Sequence, residues 1–371
     1  MTSGVDYTRP EILSMAGYTP GLQPAAGSSI IKLNTNESPY PPSPAVAQTL
    51  TRLLADPSLL RRYPDPLSSD LRRQAARLAE CDFEQVIAGN GSDELLRILL
   101  DAFVGEGEEV GFFTPSYSLY PVLIRIRGGR PRPLALRREG GIYLPDAAAL
   151  RGIKLFYLTS PNAPFGCSFS NTFICELCTA LDGILVVDEA YADFAEENAL
   201  PLLAELDNLV ILRTLSKSYG LASLRVGLGF AAAPLIEQLD KVRDSYNLDR
   251  LAQSAACAAL VDQDYLRRTV AMVIQERQHL SFALEKLGFK VEPSQANFVF
   301  VEPPAGCEAA KLYLGLEKAG IMVRYFSDPA LRHGLRISIG TRAEMDRLLS
   351  VVKEYLDSPQ NLSWLDKPNM F

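Results

Sequence analysis

The residues best able to do chemistry in this chain are Lys217, Asp188 and a few arginines. Lys217 lies in ILRTLSKSYGLASLRVG (211–227), where the apolar run Leu209–Leu212 ends in a polar loop. Arg225 stands eight residues beyond it, just before another apolar run. A lysine at the end of a buried strand is costly unless it is paired or covalently used. A lysine with a lowered pKa forms Schiff bases with carbonyls. The adjacent hydroxyls and the second cation suggest a reactive amine beside an anion site. By itself the stretch also reads as a surface lysine in an ordinary connection between strands.

Other stretches repeat the pattern of an apolar run followed by a polar motif. ILVVDEAYADF (184–194) ends a buried-looking run on Asp188, with Tyr191 three residues later. An acid there either caps a helix or faces a ligand. GNGSDELLRILLDAFV (89–104) opens an amphipathic helix with Gly91, Ser92 and Asp93. A glycine-rich turn into a helix points backbone N–H groups at an anion, and the same residues also make a plain cap. Tyr117 follows the run Glu109–Phe113, where a ring could stack on a flat ligand; a packed or surface tyrosine fits as well. KLFYL (154–158) runs into TSPNAPFGCS (159–168).

These runs must belong to elements that aim their ends at one place. Strands and helices alternate from about 85 to 232, which predicts an α/β fold with a mostly parallel sheet. In such sheets ligands sit beyond the strand ends, where the loops converge. Ahead of this region, residues 1–45 are rich in Pro, Gly, Ser and Asn and read as an extended N-terminal arm. Ala45–Leu54 is expected to be a short helix. RRYPDPLSSDLRRQAARLAE (61–80) passes from a turn holding Tyr63 into a helix with Ser68 or Ser69 as its cap. Long helices are expected over 234–263 and 264–288, then short strands over 289–301. A helix over 309–319, strands at 321–324 and 335–341, and a last helix over 342–356 complete a smaller α+β unit. Residues 357–371 read as a loose tail. The expected division is an arm at 1–45, a large domain at 46–256 and a small domain at 257–371.

Bulk properties narrow the classes. With 371 residues, the natural arrangement is a large and a small domain. Apolar residues make up 47% and charged residues 22%, as in a soluble globular enzyme. A net charge of −7 argues against a nucleic-acid or acidic-membrane binder, and no apolar run is long enough to span a membrane. The start, MTSGVDYTRPEIL, lacks the pattern of a signal peptide. Six scattered cysteines suggest reduced thiols and a cytoplasmic location. Cys175 and Cys178 form one C-x-x-C, yet zinc needs two more ligands and the only histidines are His279 and His333. No metal is expected.

Taken together, KLNTNESPYPPSP, YPDP, GNGSDELL, VVDEAY, LSKSYGLASLR and the pair VRYF and LRISIGT resemble the pyridoxal-phosphate aminotransferases of the aspartate-aminotransferase fold, in the histidinol-phosphate branch. The resemblance runs from AGYTPG (16–21) to LRISIGT (335–341). It implies a seven-stranded, mostly parallel sheet flanked by helices in the large domain. It also implies a transaminase that moves the amino group of L-histidinol phosphate to 2-oxoglutarate, in histidine biosynthesis.

The roles that follow are those the resemblance implies. Lys217 holds pyridoxal phosphate covalently and, once released, moves the proton. Asp188 pairs with the pyridine N–H and keeps the ring an electron sink. Tyr191 bonds the phenolic oxygen, and Tyr117 stacks on the ring. Gly91, Ser92 and Asp93, with Ser216 and Arg225, take the phosphate. Tyr63 of a neighbouring subunit also reaches that phosphate, which implies a homodimer with shared sites. Arg336 takes the substrate carboxylate or phosphate, with Arg324 and Tyr18 beside it. Asn36 and Asn297 line the same side.

One departure bears on the cofactor. Family members carry Asn-Pro-Thr-Gly where this chain has Ala163-Pro164-Phe165-Gly166, so the asparagine for the phenolic oxygen is missing. Two outcomes stay open: Asn162 takes over through a shifted backbone, or Tyr191 tunes that oxygen alone. Ser223 stands where glycine is common. Aromatic amino-acid aminotransferases and phosphoamino-acid decarboxylases keep the same cofactor and remain alternatives. A non-catalytic ligand-binding module would not need Lys217, Asp188, Tyr191 and Arg225 together. A nicotinamide-dependent dehydrogenase would need a G-x-G-x-x-G turn, and GNGSDE lacks its third glycine.

Overall fold

The computed structural model describes residues 7–357, apart from 19, 20, 26, 28 and 138–141. The arm holds a short helix, α1 (Pro10–Ser14), and a short strand, β1 (Ile31–Lys32). It is therefore not wholly irregular. Helices α2 (Pro44–Leu54) and α3 (Ser69–Ala79) follow. Ser43 caps α2 by accepting from the Ala45 N–H at 3.1 Å. Neither serine caps α3 with its side chain. Ser68 is left-handed with φ 48°, and the Asp65 carboxylate takes the Leu67 and Ser69 N–H groups instead.

The alternating region then runs β2 (Val86–Asn90), α4 (Gly91–Phe103), β3 (Glu109–Thr114), α5 (Tyr120–Arg127), β4 (Arg130–Ala135), α6 (Ala147–Leu150) and β5 (Ile153–Thr159). It continues through α7 (Asn171–Ala180), β6 (Ile184–Asp188), β7 (Leu209–Thr214) and β8 (Val226–Ala231). These seven strands make one sheet in the order β2-β8-β7-β6-β5-β3-β4. All neighbours in it are parallel except around β8, which runs antiparallel to both β2 and β7. Because β8 is reversed, its start lies at the edge where β7 ends, and that places Arg225 beside the loop of Lys217.

Side chains alternate across each strand, so both faces of the sheet are apolar and both are covered. Phe156, Leu158, Leu185, Val187, Leu209 and Ile211 face α7 on one side. Leu155, Tyr157, Val186, Val210 and Leu212 face α4 and α5 on the other.

The predicted helix over 234–263 is two helices, α8 (Ala233–Val242) and α9 (Arg250–Val261). Between them Arg243 donates to Pro66 O at 2.9 Å, and the Asn247 amide donates to Ala88 O at 3.0 Å and Glu94 Oε2 at 2.8 Å. Those bonds tie the break to β2 and α4, and Asp249 then caps α9. All of α9 that is buried, from Ala252 to Leu260, packs in the core of the large sheet. A boundary at 257 would therefore cut a helix that packs as one unit.

Helix α10 (Gln263–Lys286) leads into β9 (Lys290–Val291), β10 (Phe298–Glu302), α11 (Ala309–Lys318), β11 (Ile321–Met322), β12 (Arg324–Tyr325), β13 (Leu335–Ser338) and α12 (Arg342–Asp357). A four-stranded sheet forms in the order β12-β13-β10-β9. Strand β1 of the arm pairs in parallel with β11, which fastens the arm to this second unit. The expected tail beyond 357 lies outside the described residues.

Candidate active site

The ends of β3, β5, β6 and β7, the start of β8 and the start of α4 all open on one cavity of about 180 Å³. Lys217, Asp188, Tyr191, Tyr117, Ser92, Asp93, Ser216, Arg225, Tyr18, Asn36, Arg324 and Arg336 line it. Four expected residues do not. Gly91, Asn162 and Asn297 stand behind the lining, and Tyr63 is 75% exposed and stacks on Tyr246 with centroids 4.3 Å apart.

Lys217 Nζ donates to the backbone oxygen of Thr35 at 3.1 Å. Burial, reinforced by the nearby Arg336, lowers its pKa to about 8. Asp188, 3% exposed, closes β6 and also lines the cavity. Burial pushes its carboxyl up to about 6, against the hydrogen bond from Tyr120. Tyr120 OH donates to Asp188 Oδ2 at 2.8 Å, and the Ala190 N–H donates to Oδ1 at 3.3 Å. Tyr120 was not anticipated, although it sits three residues past Tyr117 at the first turn of α5.

Within the lining Arg225, left-handed at φ 51°, donates to Ser216 Oγ at 3.1 Å and pairs with Asp93 Oδ2 at 3.2 Å. Tyr117 OH donates to the other Asp93 oxygen at 3.2 Å. The Asp93 carboxylate thus holds Arg225 and Tyr117, and only its backbone N–H is offered to an anion. Gly91 has φ 76°, and a Cβ there would lie 2.5 Å from Arg225 Nη2. Only glycine gives the turn without displacing that guanidinium. The result is a cup of helix N–H groups, two serine hydroxyls and one cation, suited to a phosphate.

Arg324 and Arg336, also in the lining, are directly paired across β12 and β13. Side chains at such a position share one face of the sheet. Arg336 donates to Asn34 O at 2.9 Å, and its buried Nε has no partner among the described residues. Burial, then the neighbouring Arg324 among its charged contacts, depresses the Arg336 pKa, while Tyr191 and Tyr18 oppose this. Tyr18 also lines the cavity, its ring edge-on to Tyr117 with centroids 6.0 Å apart.

A second network stands behind the loops. Arg213 Nε meets Glu189 at 2.7 Å and Nη1 meets Asp193 at 3.1 Å. Ser218 Oγ also bonds Asp193. The loop carrying Asp188 and Tyr191 is therefore bound to the loop carrying Lys217. Arg213 was not singled out in the sequence, where it reads as one charge inside an apolar run.

Asn162 does not reach toward Tyr191. Its amide donates to Ser116 Oγ at 3.3 Å and Pro115 O at 3.5 Å. Asn36 meets Tyr191 instead, donating from Nδ2 to the tyrosine oxygen at 2.9 Å. Asn297 supports Asn36, donating to its carbonyl at 3.0 Å. Among the described residues no group of three or more His, Cys, Asp or Glu side chains is placed to hold a metal ion. Cys178 donates to Asn208 Oδ1 at 3.0 Å, and burial pushes its thiol up to about 12. Among the described residues no helix is long and apolar enough to cross a membrane.

Comparison with known proteins gives the same frame. The pattern described as aminotransferase class I and II matches residues 28–352. A histidinol-phosphate aminotransferase of Geobacter sp. (strain M21) is 47% identical over 347 residues, which cover 93% of this chain and 97% of that one. One from Geotalea daltonii is 48% identical over 93% of this chain and 98% of its own. The crystal structure of histidinol-phosphate aminotransferase from Sinorhizobium meliloti in complex with pyridoxal-5'-phosphate superposes with a TM-score of 0.85 at 28% identity, over 97% of this chain and all of that one. A family match over most of the chain, relatives close to half identical and an end-to-end structural likeness agree: the chain belongs to the aminotransferase class I and II family.

Proposed function

We propose that this protein is a pyridoxal-phosphate-dependent transaminase that takes the amino group of L-histidinol phosphate and passes it to 2-oxoglutarate, in histidine biosynthesis. The observation that carries the donor is the Arg324–Arg336 pair, which lines the same cavity as Tyr18 and the cup of Ser92, Ser216 and Arg225. Two adjacent guanidiniums match a doubly charged phosphate better than one carboxylate. The relatives named histidinol-phosphate aminotransferase support the same choice.

The residues present fit the cofactor. Asp188 is a buried carboxylate whose charged neighbours include Asp93 and Glu189, so a positive ring N–H would satisfy it. Lys217 is an amine of lowered pKa lining the same cavity. The cup of Ser92, Ser216 and Arg225 would hold the phosphate. Tyr191 would donate to the phenolic oxygen and Tyr117 would flank the ring.

When bound, pyridoxal phosphate supplies an aldehyde that takes the amino group and a ring that draws electrons from the neighbouring carbon. With a pKa near 8, Lys217 Nζ is partly neutral at neutral pH, so it can take the proton from the amine-bearing carbon and return it. Asp188 keeps a positive charge where it is useful and excludes water by its burial. Arg324, Arg336 and Tyr18 orient the donor by its phosphate. Arg336 would hold a carboxylate of 2-oxoglutarate in the other half of the reaction.

The same reading includes a homodimer. Tyr63 is exposed and is not part of the cavity lining, and Leu54, Leu60, Leu67 and Tyr246 are exposed as well. Such side chains suit a second copy whose Tyr63 would reach the phosphate cup. Six free cysteines fit a cytoplasmic setting.

A visible spectrum of the purified protein tests the reading. A yellow protein whose colour bleaches on adding histidinol phosphate is expected. A colourless protein, or faster turnover of tyrosine or phenylalanine than of histidinol phosphate in a donor panel, would overturn it. Sedimentation of the same sample checks the dimer.

A further inference from the structure

Three consecutive residues of the arm touch three different parts of the cavity. The Asn34 carbonyl accepts from Arg336, the Thr35 carbonyl accepts from Lys217, and the Asn36 amide donates to Tyr191. The last of these bonds has a fixed direction. The Asn36 N–H donates to Ser338 Oγ at 2.9 Å, so the serine must turn its own hydrogen elsewhere, and it donates to Asn36 Oδ1 at 2.9 Å. That makes Oδ1 the acceptor and Nδ2 the donor of the asparagine. Nδ2 then occupies a lone pair of the Tyr191 oxygen, which leaves the phenol hydrogen free to donate into the cavity. Asn36 is 1% exposed and left-handed, with φ 55°, a conformation that asparagine tolerates and most residues do not.

Ala163 lines the cavity and offers no side-chain donor, and the Asn162 amide is turned to Pro115 and Ser116. We propose that Asn36 is the positioning residue of the cofactor's phenolic oxygen: by holding the Tyr191 oxygen it aims that hydroxyl at the charge that Ala163 cannot meet. This rests on the assignment of pyridoxal phosphate to the cavity. Asn36 acts only through Tyr191. Because Ser338 is two residues from Arg336 on β13, the strand that meets the donor's anion also sets the tyrosine's direction.

The test is a pH titration of the visible absorbance of the holoenzyme and its variants. A donor to the phenolic oxygen matters most at high pH, where that oxygen's negative charge has no neighbouring proton. Losing the donor therefore moves the colour-change midpoint upward. Tyr191→Phe sets the scale. Asn36→Gly, which keeps the left-handed backbone, is expected to raise the midpoint by roughly half to one pH unit. Ser338→Ala is expected to shift it less, in the same direction. In a Tyr191→Phe background Asn36→Gly is expected to add no further shift, because the two act as one unit. Circular dichroism checks that each variant is folded. A normal colour change in the wild type with an unmoved midpoint in folded Asn36→Gly and Ser338→Ala overturns this proposal alone. Equal shifts in the presence and absence of Tyr191 also overturn it. A wild-type protein that takes up no pyridoxal phosphate overturns the cofactor assignment and this proposal with it.

Discussion

Arg324 and Arg336 face one another across two antiparallel strands, and both guanidinium groups line the same cavity. Like charges directly opposite one another destabilise a sheet. A site that retains them implies a ligand whose negative charge outweighs that cost. Arg324→Met is expected to raise the KM for histidinol phosphate about tenfold or more while changing kcat little, because the arginine binds and does not react. Turnover of histidinol, which lacks the phosphate, should scarcely change. Arg336→Met should impair both the donor and 2-oxoglutarate. Steady-state kinetics with each substrate varied separates these outcomes, and an equal loss with histidinol and its phosphate would refute the assignment of Arg324.

Among the described residues, Lys217 is the one lysine that lines the cavity. Lys217→Ala is expected to abolish turnover and leave the fold intact, measured by activity and circular dichroism. A second consequence follows from its lowered pKa. The folded protein loses this proton near pH 8, and the unfolded chain near 10.5. Stability therefore rises with pH across that window, and below pH 8 the folded state carries a buried charge at a cost. Cofactor-free Lys217→Met should be more stable than the cofactor-free wild type at pH 7, and the gap should narrow toward pH 10.5 in urea unfolding.

Much of this site was legible because each central strand is an apolar run that ends on its chemical residue. Lys217, Asp188, Tyr117 and the glycine-opened helix were found that way, and one sheet aims them together. The bonds that orient them were not legible. Tyr120 reaches Asp188 from the next turn of a helix, and Asn36 reaches Tyr191 from 155 residues away in sequence. Local spacing carries no sign of a pairing made by packing one unit against another. The same limit explains the helix expected over 234–263. Its break at 243–249 is held by bonds to Pro66, Ala88 and Glu94, none of them near in sequence. Asn162 was a plausible substitute by adjacency alone, and its backbone turns the amide away.

Asp188 is a buried carboxylate with no cationic side chain bonded to it among the described residues. In the cofactor-free protein its pKa is raised from 3.8 to about 6 by burial. Between these values the folded state holds a proton that the unfolded state releases, so stability falls as pH rises through the window and the full cost remains above it. Cofactor-free Asp188→Asn should therefore be more stable than the cofactor-free wild type at pH 8, by about 2–3 kcal/mol. The difference should shrink as pH falls toward 4. With pyridoxal phosphate present the order should reverse, since the amide cannot neutralise a ring N–H. Unfolding curves at both pH values, with and without cofactor, provide the check.

Gly227, second residue of β8, packs directly against the backbone that opens α4. A Cβ there would sit 2.4 Å from Gly91 C and 2.4 Å from Ser92 N, which is backbone and cannot swing aside. Gly227→Ala must push the start of α4 away from Arg225 and Ser216. Overpacking of this kind costs about 1–3 kcal/mol, so a thermal midpoint several degrees lower is expected. The displacement also separates the helix N–H groups from the serines and the arginine that share one anion. Affinity for pyridoxal phosphate should fall about tenfold or more, whereas affinity for pyridoxal, which has no phosphate, should fall much less. Titrating the cofactor-free variant with each compound distinguishes a damaged cup from a generally loosened fold, in which both affinities would fall together.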